Sequence, residues 1–245
     1  MLVLLTDFGL QGPYVGLVKL ALARHAAALP VIDLFHDVPA FDAQGAAYLL
    51  AALAEEFPAG AVFLGVVDPG VGGARAGLIL EAGGRVFVGP DNGLFDRVAA
   101  QASTANAWRI TWKPERLSAS FHGRDLFAPV AAMIATGTAS PEELGEPVAF
   151  RSRDWPEDLA RIVYIDRYGN AMTGIRAKRL DANTVITARG KEYTRARTFS
   201  SVPLGQRFWY ENSLGLVELA VNQGSAAASL GLVSGDVIEI GARAG

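Results

Sequence analysis

Residues 61–93 read AVFLGVVDPGVGGARAGLILEAGGRVFVGPDNG. The run Ala61–Val67 is continuously apolar, the composition of a strand covered on both faces. Asp68 ends it and opens a glycine-rich turn, Asp68-Pro69-Gly70-Val71-Gly72. Gly77–Glu81 and Arg85–Val88 then flank Ala82-Gly83-Gly84, a hairpin signal because glycine accepts the positive φ of tight turns. A second polar segment, Gly89-Pro90-Asp91-Asn92-Gly93, closes the stretch.

Outward from this stretch, short β-rich runs alternate with helical ones. Leu2–Thr6 and Val31–Leu34 read as strands. Gly12–Ala28, with Leu17, Leu20 and Ala21 at helical spacing, reads as a helix, as does the Ala/Leu/Glu-rich Asp42–Phe57. Asp91–Ala100 and Asp125–Ala135 are further helix candidates. This alternation predicts an α/β N-terminal domain with a largely parallel sheet over residues 1–150. Residues 151–159 (RSRDWPEDL) are polar, carry Pro156 and read as a linker. Beyond them strands come without long helices: Ile162–Asp166, Thr184–Ala188, Glu192–Arg197, Arg207–Tyr210, Leu216–Val221 and Asp236–Ile240. Glycine-bearing turns separate them, which predicts a small all-β, barrel-like C-terminal domain over 160–245.

Composition narrows the function. Of 245 residues 51% are hydrophobic and 19% charged, enough to bury a sizeable core. Lys plus Arg number 22 against 25 Asp plus Glu, and no long basic run occurs, so the footprint of a nucleic-acid partner is missing. The chain has no cysteine, which excludes disulfides, thiolate catalysis and Cys-ligated metals and suits a reducing cytoplasm. Leu2–Asp7 is too short to span a membrane and has no basic segment before it, so a soluble cytoplasmic protein without a membrane partner is expected. No phosphate loop, GxGxxG or HExxH motif is present, which weighs against nucleotide triphosphate, dinucleotide and zinc-protease chemistry.

Ionisable residues gather where strands end, the usual place for ligands in open α/β sheets. Asp7 can accept two hydrogen bonds from a ribose diol or can cap a helix. Arg75, seven residues after Asp68, cannot serve as a base but can fix a carboxylate; an ordinary ion pair is the alternative. His122, in the polar His122-Gly123-Arg124-Asp125 segment, is a candidate proton acceptor near neutral pH. In the second half Asp166 could pair with an ammonium, Tyr168 could stack on a purine and Asn170 could read a base edge. Each of these three is equally a turn former. Asp7, Asp68, Asp91 and His122 could together hold a hard divalent cation, although no pair has a diagnostic spacing.

Taken in order, these motifs resemble the S-adenosylmethionine hydroxide adenosyltransferase family, relatives of the S-adenosylmethionine-dependent fluorinase and chlorinase. The resemblance rests on TDFG at 6–9, DPGVG at 68–72, GPDNG at 89–93, FHGRDLFAP at 121–129, IDRYGN at 165–170, YENSLG at 210–215 and VNQGSAA at 221–227. It implies a homotrimer with active sites between one subunit's N-terminal domain and the next subunit's C-terminal domain. Asp7 then holds the ribose hydroxyls, and Asp166 and Ser213 hold the methionine portion. Tyr168, Asn170 and the backbone around Asn222 contact adenine, while Asp68, Arg75 and His122 bind and activate water. The implied reaction is hydrolysis of S-adenosylmethionine, as substrate and with no cofactor or metal, to adenosine and methionine. Tyr168 stands where Phe is more frequent, and Thr173-Gly174 where Thr-Asn is common. The N-terminal domain lacks the extra fluorinase loop between Asp91 and His122, which disfavours a halogenase. A non-catalytic sensor of the same ligand would not need the Asp68–Arg75–His122 set.

Overall fold

The computed structural model describes residues 1–242. The chain divides into two compact units, Met1–Asp154 and the segment from Trp155 onward. In the first, seven strands form one sheet: β1 (Leu2–Thr6), β2 (Val31–Phe35), β3 (Val62–Val66), β4 (Gly77–Ala82), β5 (Arg85–Pro90), β6 (Ala105–Ile110) and β7 (Gly145–Val148). Their order is β2-β1-β3-β5-β4-β6-β7.

The expected largely parallel sheet needs correction, because only half of it is parallel. β2, β1, β3 and β5 run parallel to one another, whereas β4 pairs antiparallel with β5 and β6, and β6 with β7. The Gly83-Gly84 turn is too short for a crossover, so β4 and β5 must reverse. β6 and β7 extend that reversed half. Pro147 lies on the outermost strand, where no second neighbour needs its missing N–H.

Helices cover both faces, as the unbroken apolar β3 demands. α1 (Tyr14–Ala26) and α4 (Ala128–Thr136) pack with Leu2, Leu4, Val62, Leu64 and Val66. On the opposite face, α2 (Ala43–Ala54) and α3 (Asp96–Gln101) pack with Val3, Leu5 and Phe63. Alternate residues of one strand thus enter opposite core layers, each large side chain contributing roughly 1.5–3 kcal/mol. Asp42 caps α2 by accepting the Gly45 N–H at 2.9 Å. A short α5 (Pro141–Leu144) leads into β7.

Two helix expectations shift. The helix sought at 91–100 starts only at Asp96, because the preceding residues form a turn held by Asn92. The one sought at 125–135 is preceded by a wide π-type turn, Gly123–Phe127, that runs directly into α4. Turns of this kind frequently mark functional sites.

The second unit holds β8 (Leu159–Ile165), β9 (Ala171–Arg176), β10 (Thr184–Ala188), β11 (Lys191–Arg195), β12 (Arg207–Glu211), β13 (Leu216–Val221) and β14 (Glu239–Ala242), with a short α6 (Ala226–Leu230). They form a single sheet in the order β14-β10-β11-β12-β13-β9-β8. All neighbours are antiparallel except β11 and β12. The sheet curls: Ile162 N–H donates to the Asp236 carbonyl at 2.9 Å and Gly235 N–H to the Ile162 carbonyl at 2.8 Å. One edge strand therefore meets the segment that enters the other, giving a half-barrel around Ile162, Ile186, Tyr193, Trp209 and Leu219. β9 is absent from the sequence reading, and the last strand begins three residues later than expected, at Glu239–Ala242.

Candidate active site

Parallel strands β1 and β3 end side by side, with Thr6 opposite Val66. Asp7 and Asp68 follow them and so leave the same edge of the sheet. Asp7 does not cap a helix, since α1 begins only after Pro13. One of its carboxylate oxygens accepts the Phe41 N–H at 3.1 Å. Burial, with a smaller contribution from the Asp68 charge, pushes the Asp7 carboxyl up from its ordinary value.

Asp68, Arg75 and His122 form one connected chain. Arg75 Nε donates to Asp68 Oδ1 at 2.9 Å and Nη2 to Oδ2 at 2.5 Å, a bidentate pair. The same Nη2 lies 2.8 Å from His122 Nδ1. Phe127 lies 5.0 Å beneath the guanidinium, and it belongs to the π-type turn that begins just after His122. The turn thus supplies both the imidazole and the platform for its partner.

This contact decides the imidazole's tautomer. Arginine has only donors, so a neutral His122 accepts at Nδ1 and carries its proton on Nε2. The sequence reading casts His122 as the proton acceptor, but here its one lone pair faces Arg75. Nε2 is instead an N–H donor. Burial, and then the Arg75 charge, hold the His122 pKa below its usual value, which favours the neutral form.

The surrounding loops are fastened by residues the sequence reading gives no role. Asn92 Nδ2 donates to the Val67 carbonyl at 2.7 Å, bracing the backbone immediately before Asp68. Asp125, paired with Arg124, accepts the Ser118 N–H at 2.8 Å and ties the 118–121 loop to the turn. Gly72 has φ +77°, and a Cβ there would lie 2.4 Å from the Ala119 carbonyl oxygen, so glycine lets the two loops meet. Buried His36 is spent on structure: its Nδ1 is 2.9 Å from Thr6 Oγ1 and its Nε2 3.2 Å from Asp33. Asp91 is half-exposed and lies 3.7 Å from Arg153. Among the described residues no three His, Asp or Glu side chains sit where they could hold a metal ion.

The second unit carries a cleft of about 900 Å³ that collects Asp166, Tyr168, Asn170 and Asn222. Phe199 and Tyr210, unassigned by the sequence reading, form an aromatic wall with ring centroids 5.3 Å apart. Ser213 is exposed on the neighbouring turn and does not line the cleft. Asp166 works as the turn former: Oδ1 accepts the N–H groups of Tyr168 and Asn170, and Oδ2 accepts Asn170 Nδ2 at 2.9 Å. That last bond orients the amide. Asn170 is 5% exposed, and its Oδ1 has no partner among the described residues. A buried, unmatched acceptor on a cleft wall is uncommon in folded proteins, where most buried polar atoms are paired. The Asn222 side chain donates to the Val202 carbonyl at 2.7 Å and so positions the loop bearing Phe199. Tyr168 lines the same cleft and is 77% exposed.

These features define the class: an α/β unit with an acid–guanidinium–imidazole set at its strand ends, joined to a half-barrel with an aromatic, amide-lined cleft. The chain belongs to the SAM hydroxide adenosyltransferase family, residues 2–145 matching its N-terminal domain and residues 160–239 its C-terminal domain. It is 40% identical to an (R)-S-adenosyl-L-methionine hydrolase of Thermus thermophilus, across 94% of this chain and 95% of that protein. A protein of the same name from Salinispora arenicola is 38% identical, across 96% and 95%. Among solved structures, an uncharacterized conserved protein from Thermotoga maritima superposes with a TM-score of 0.89 at 31% identity, covering 98% of this chain and all of that one. No helix among the described residues is long and apolar enough to cross a membrane.

Proposed function

We propose that the protein hydrolyses S-adenosyl-L-methionine to adenosine and L-methionine by attack of water on the 5′ carbon. The observation that carries this reading is the continuous Asp68–Arg75–His122 contact at the strand ends, in a chain that is 40% and 38% identical to two proteins named (R)-S-adenosyl-L-methionine hydrolase. The substrate's sulfonium leaves as a neutral thioether, so no general acid is required at sulfur. The protein has to place water in line behind the carbon and take up its proton.

In this reading His122 Nε2–H donates to the water oxygen and Asp68, held by Arg75, takes the proton with the lone pairs Arg75 leaves free. The oxygen–carbon bond forms as the carbon–sulfur bond breaks, and that electron pair stays on sulfur. Asp7 holds the ribose hydroxyls. Asn170 Oδ1 accepts the exocyclic amine of adenine, Phe199, Tyr210 and Tyr168 enclose the ring, and Asp166 and Ser213 serve the methionine end. Asn222 acts through its loop. A homotrimer brings the reaction set of one subunit and the cleft of a neighbour to one substrate, in keeping with the family resemblance. No cofactor is called for, because the sulfonium already activates the carbon. The cysteine-free composition supports a cytoplasmic setting.

Chelator-treated protein is expected to convert S-adenosyl-L-methionine into equal amounts of adenosine and methionine in halide-free buffer. Turnover that appears only with added fluoride or chloride would replace the hydrolase with a halogenase. Turnover that appears only with an added divalent cation would replace it with a metal-dependent hydrolase.

A further inference from the structure

β13 is buried along its whole length, and Glu218 interrupts it with a carboxylate that is 2% exposed. An ionisable group in such a strand is costly unless it is well hydrogen-bonded. Among the described residues the hydrogen bond it accepts comes from an uncharged donor, Asn212 Nδ2, at 2.8 Å from Oε2, and Tyr210 stands directly across the ladder beside the same carboxylate.

Both residues belong to the ligand-binding half of the site. Tyr210, directly across the ladder from Glu218, is part of the aromatic wall of the cleft. Asn212 builds the turn that follows β12: its Oδ1 accepts the N–H groups of Leu214 and Leu216, both at 3.0 Å, and its own N–H donates to the Leu216 carbonyl. That turn carries Ser213. Asp166, whose carboxylate orients Asn170, is close enough to act electrostatically on both Glu218 and Tyr210.

We propose that Glu218 is the positioning residue of the ligand cleft, one buried carboxylate holding the Tyr210 ring in the wall and, through Asn212, the turn that bears Ser213. Glu218 touches no reacting atom, and the water-binding set belongs to the other unit. Its loss therefore falls on ligand affinity and not on the chemical step. The proposal rests on the hydrolase reading, and the test separates the two.

The Glu218→Leu variant removes both acceptors yet suits an apolar strand. The expected result is a rise in KM for S-adenosyl-L-methionine of roughly tenfold, with kcat nearly unchanged. Glu218→Gln can accept from Asn212 and donate to Tyr210, and it should recover most of the loss. Tyr210→Phe should raise KM alone but add little on top of Glu218→Leu. Should Glu218→Leu not fold, Tyr210→Phe and Glu218→Gln, singly and together, carry the comparison. An unchanged KM with only a lower melting temperature, or a fall in kcat at constant KM, would overturn the proposal. Calorimetric titration with adenosine reads the same variants without turnover. A wild type that binds adenosine but does not turn over refutes the hydrolase and leaves the adenosine Kd ratios to judge Glu218. A wild type that binds no adenosine refutes both.

Discussion

Nη2 of Arg75 lies 2.8 Å from Nδ1 of His122 while the same guanidinium grips Asp68 through both carboxylate oxygens. One arginine thereby fixes an acid and the tautomer of an imidazole. Protonation of His122 would place a hydrogen on Nδ1 against the Arg75 N–H, so the competent state is neutral. Burial and Arg75 lower the His122 pKa, and a lowered pKa keeps the neutral form to more acid pH. We expect kcat/KM to rise with pH through an acid limb below the usual imidazole value of about 6.5. Arg75→Leu should move that limb upward, besides lowering turnover. A limb that stays in place in this variant would contradict the assignment.

His122→Ala should lose turnover by about 10²–10³-fold, the span for removing one preorganised hydrogen-bond donor. Adenosine affinity should be retained, because the cleft residues lie in the other unit. Calorimetry and product chromatography on the same preparation measure both.

Asn170→Ala removes the buried acceptor proposed to meet the adenine amine. A charge-neutral hydrogen bond contributes about 0.5–1.5 kcal/mol net, and more when a buried partner is stranded. KM should therefore rise up to about tenfold at little changed kcat. Purine riboside, which lacks the exocyclic amine, should bind wild type and variant alike. A preference for adenosine that survives in Asn170→Ala would remove Asn170 from base recognition.

Tyr193 is fully buried in the half-barrel core, and its hydroxyl has no partner among the described residues. Burial also pushes its pKa up, so the phenol is neutral throughout the working range. Tyr193→Phe keeps the ring and deletes an unsatisfied group worth about 1–3 kcal/mol of desolvation. The melting temperature should hold or rise. A clear fall would show that the hydroxyl has a partner such as an ordered water.

The central strand and the hairpin are legible in the sequence because each follows from a local rule. The run 61–67 is apolar on every residue, and a two-glycine turn can only reverse the chain. The antiparallel half of the first sheet is not local in this sense. β6 and β7 alternate polar and apolar residues weakly, and nothing in ANAWRI or GEPV names the strand it will pair with. β9 is hidden by Gly174 and by the turn residues before it, although it ends up between β8 and β13. For the site, the motifs mark the right loops, since glycine and carboxylates at strand ends are visible in sequence. The partners of each side chain are not. Asn92 and Asn222 act on backbone carbonyls 25 and 20 residues away, and Glu218 reads simply as one polar letter in an apolar strand.

Water attack at the 5′ carbon is the central claim, and the fate of water's oxygen tests it most directly. Turnover of S-adenosyl-L-methionine in oxygen-18 water, followed by mass spectrometry, should give adenosine carrying one heavy oxygen at the 5′ position and unlabelled methionine. Unlabelled adenosine, or label in the methionine, would contradict the account and show that another bond is broken or another nucleophile attacks.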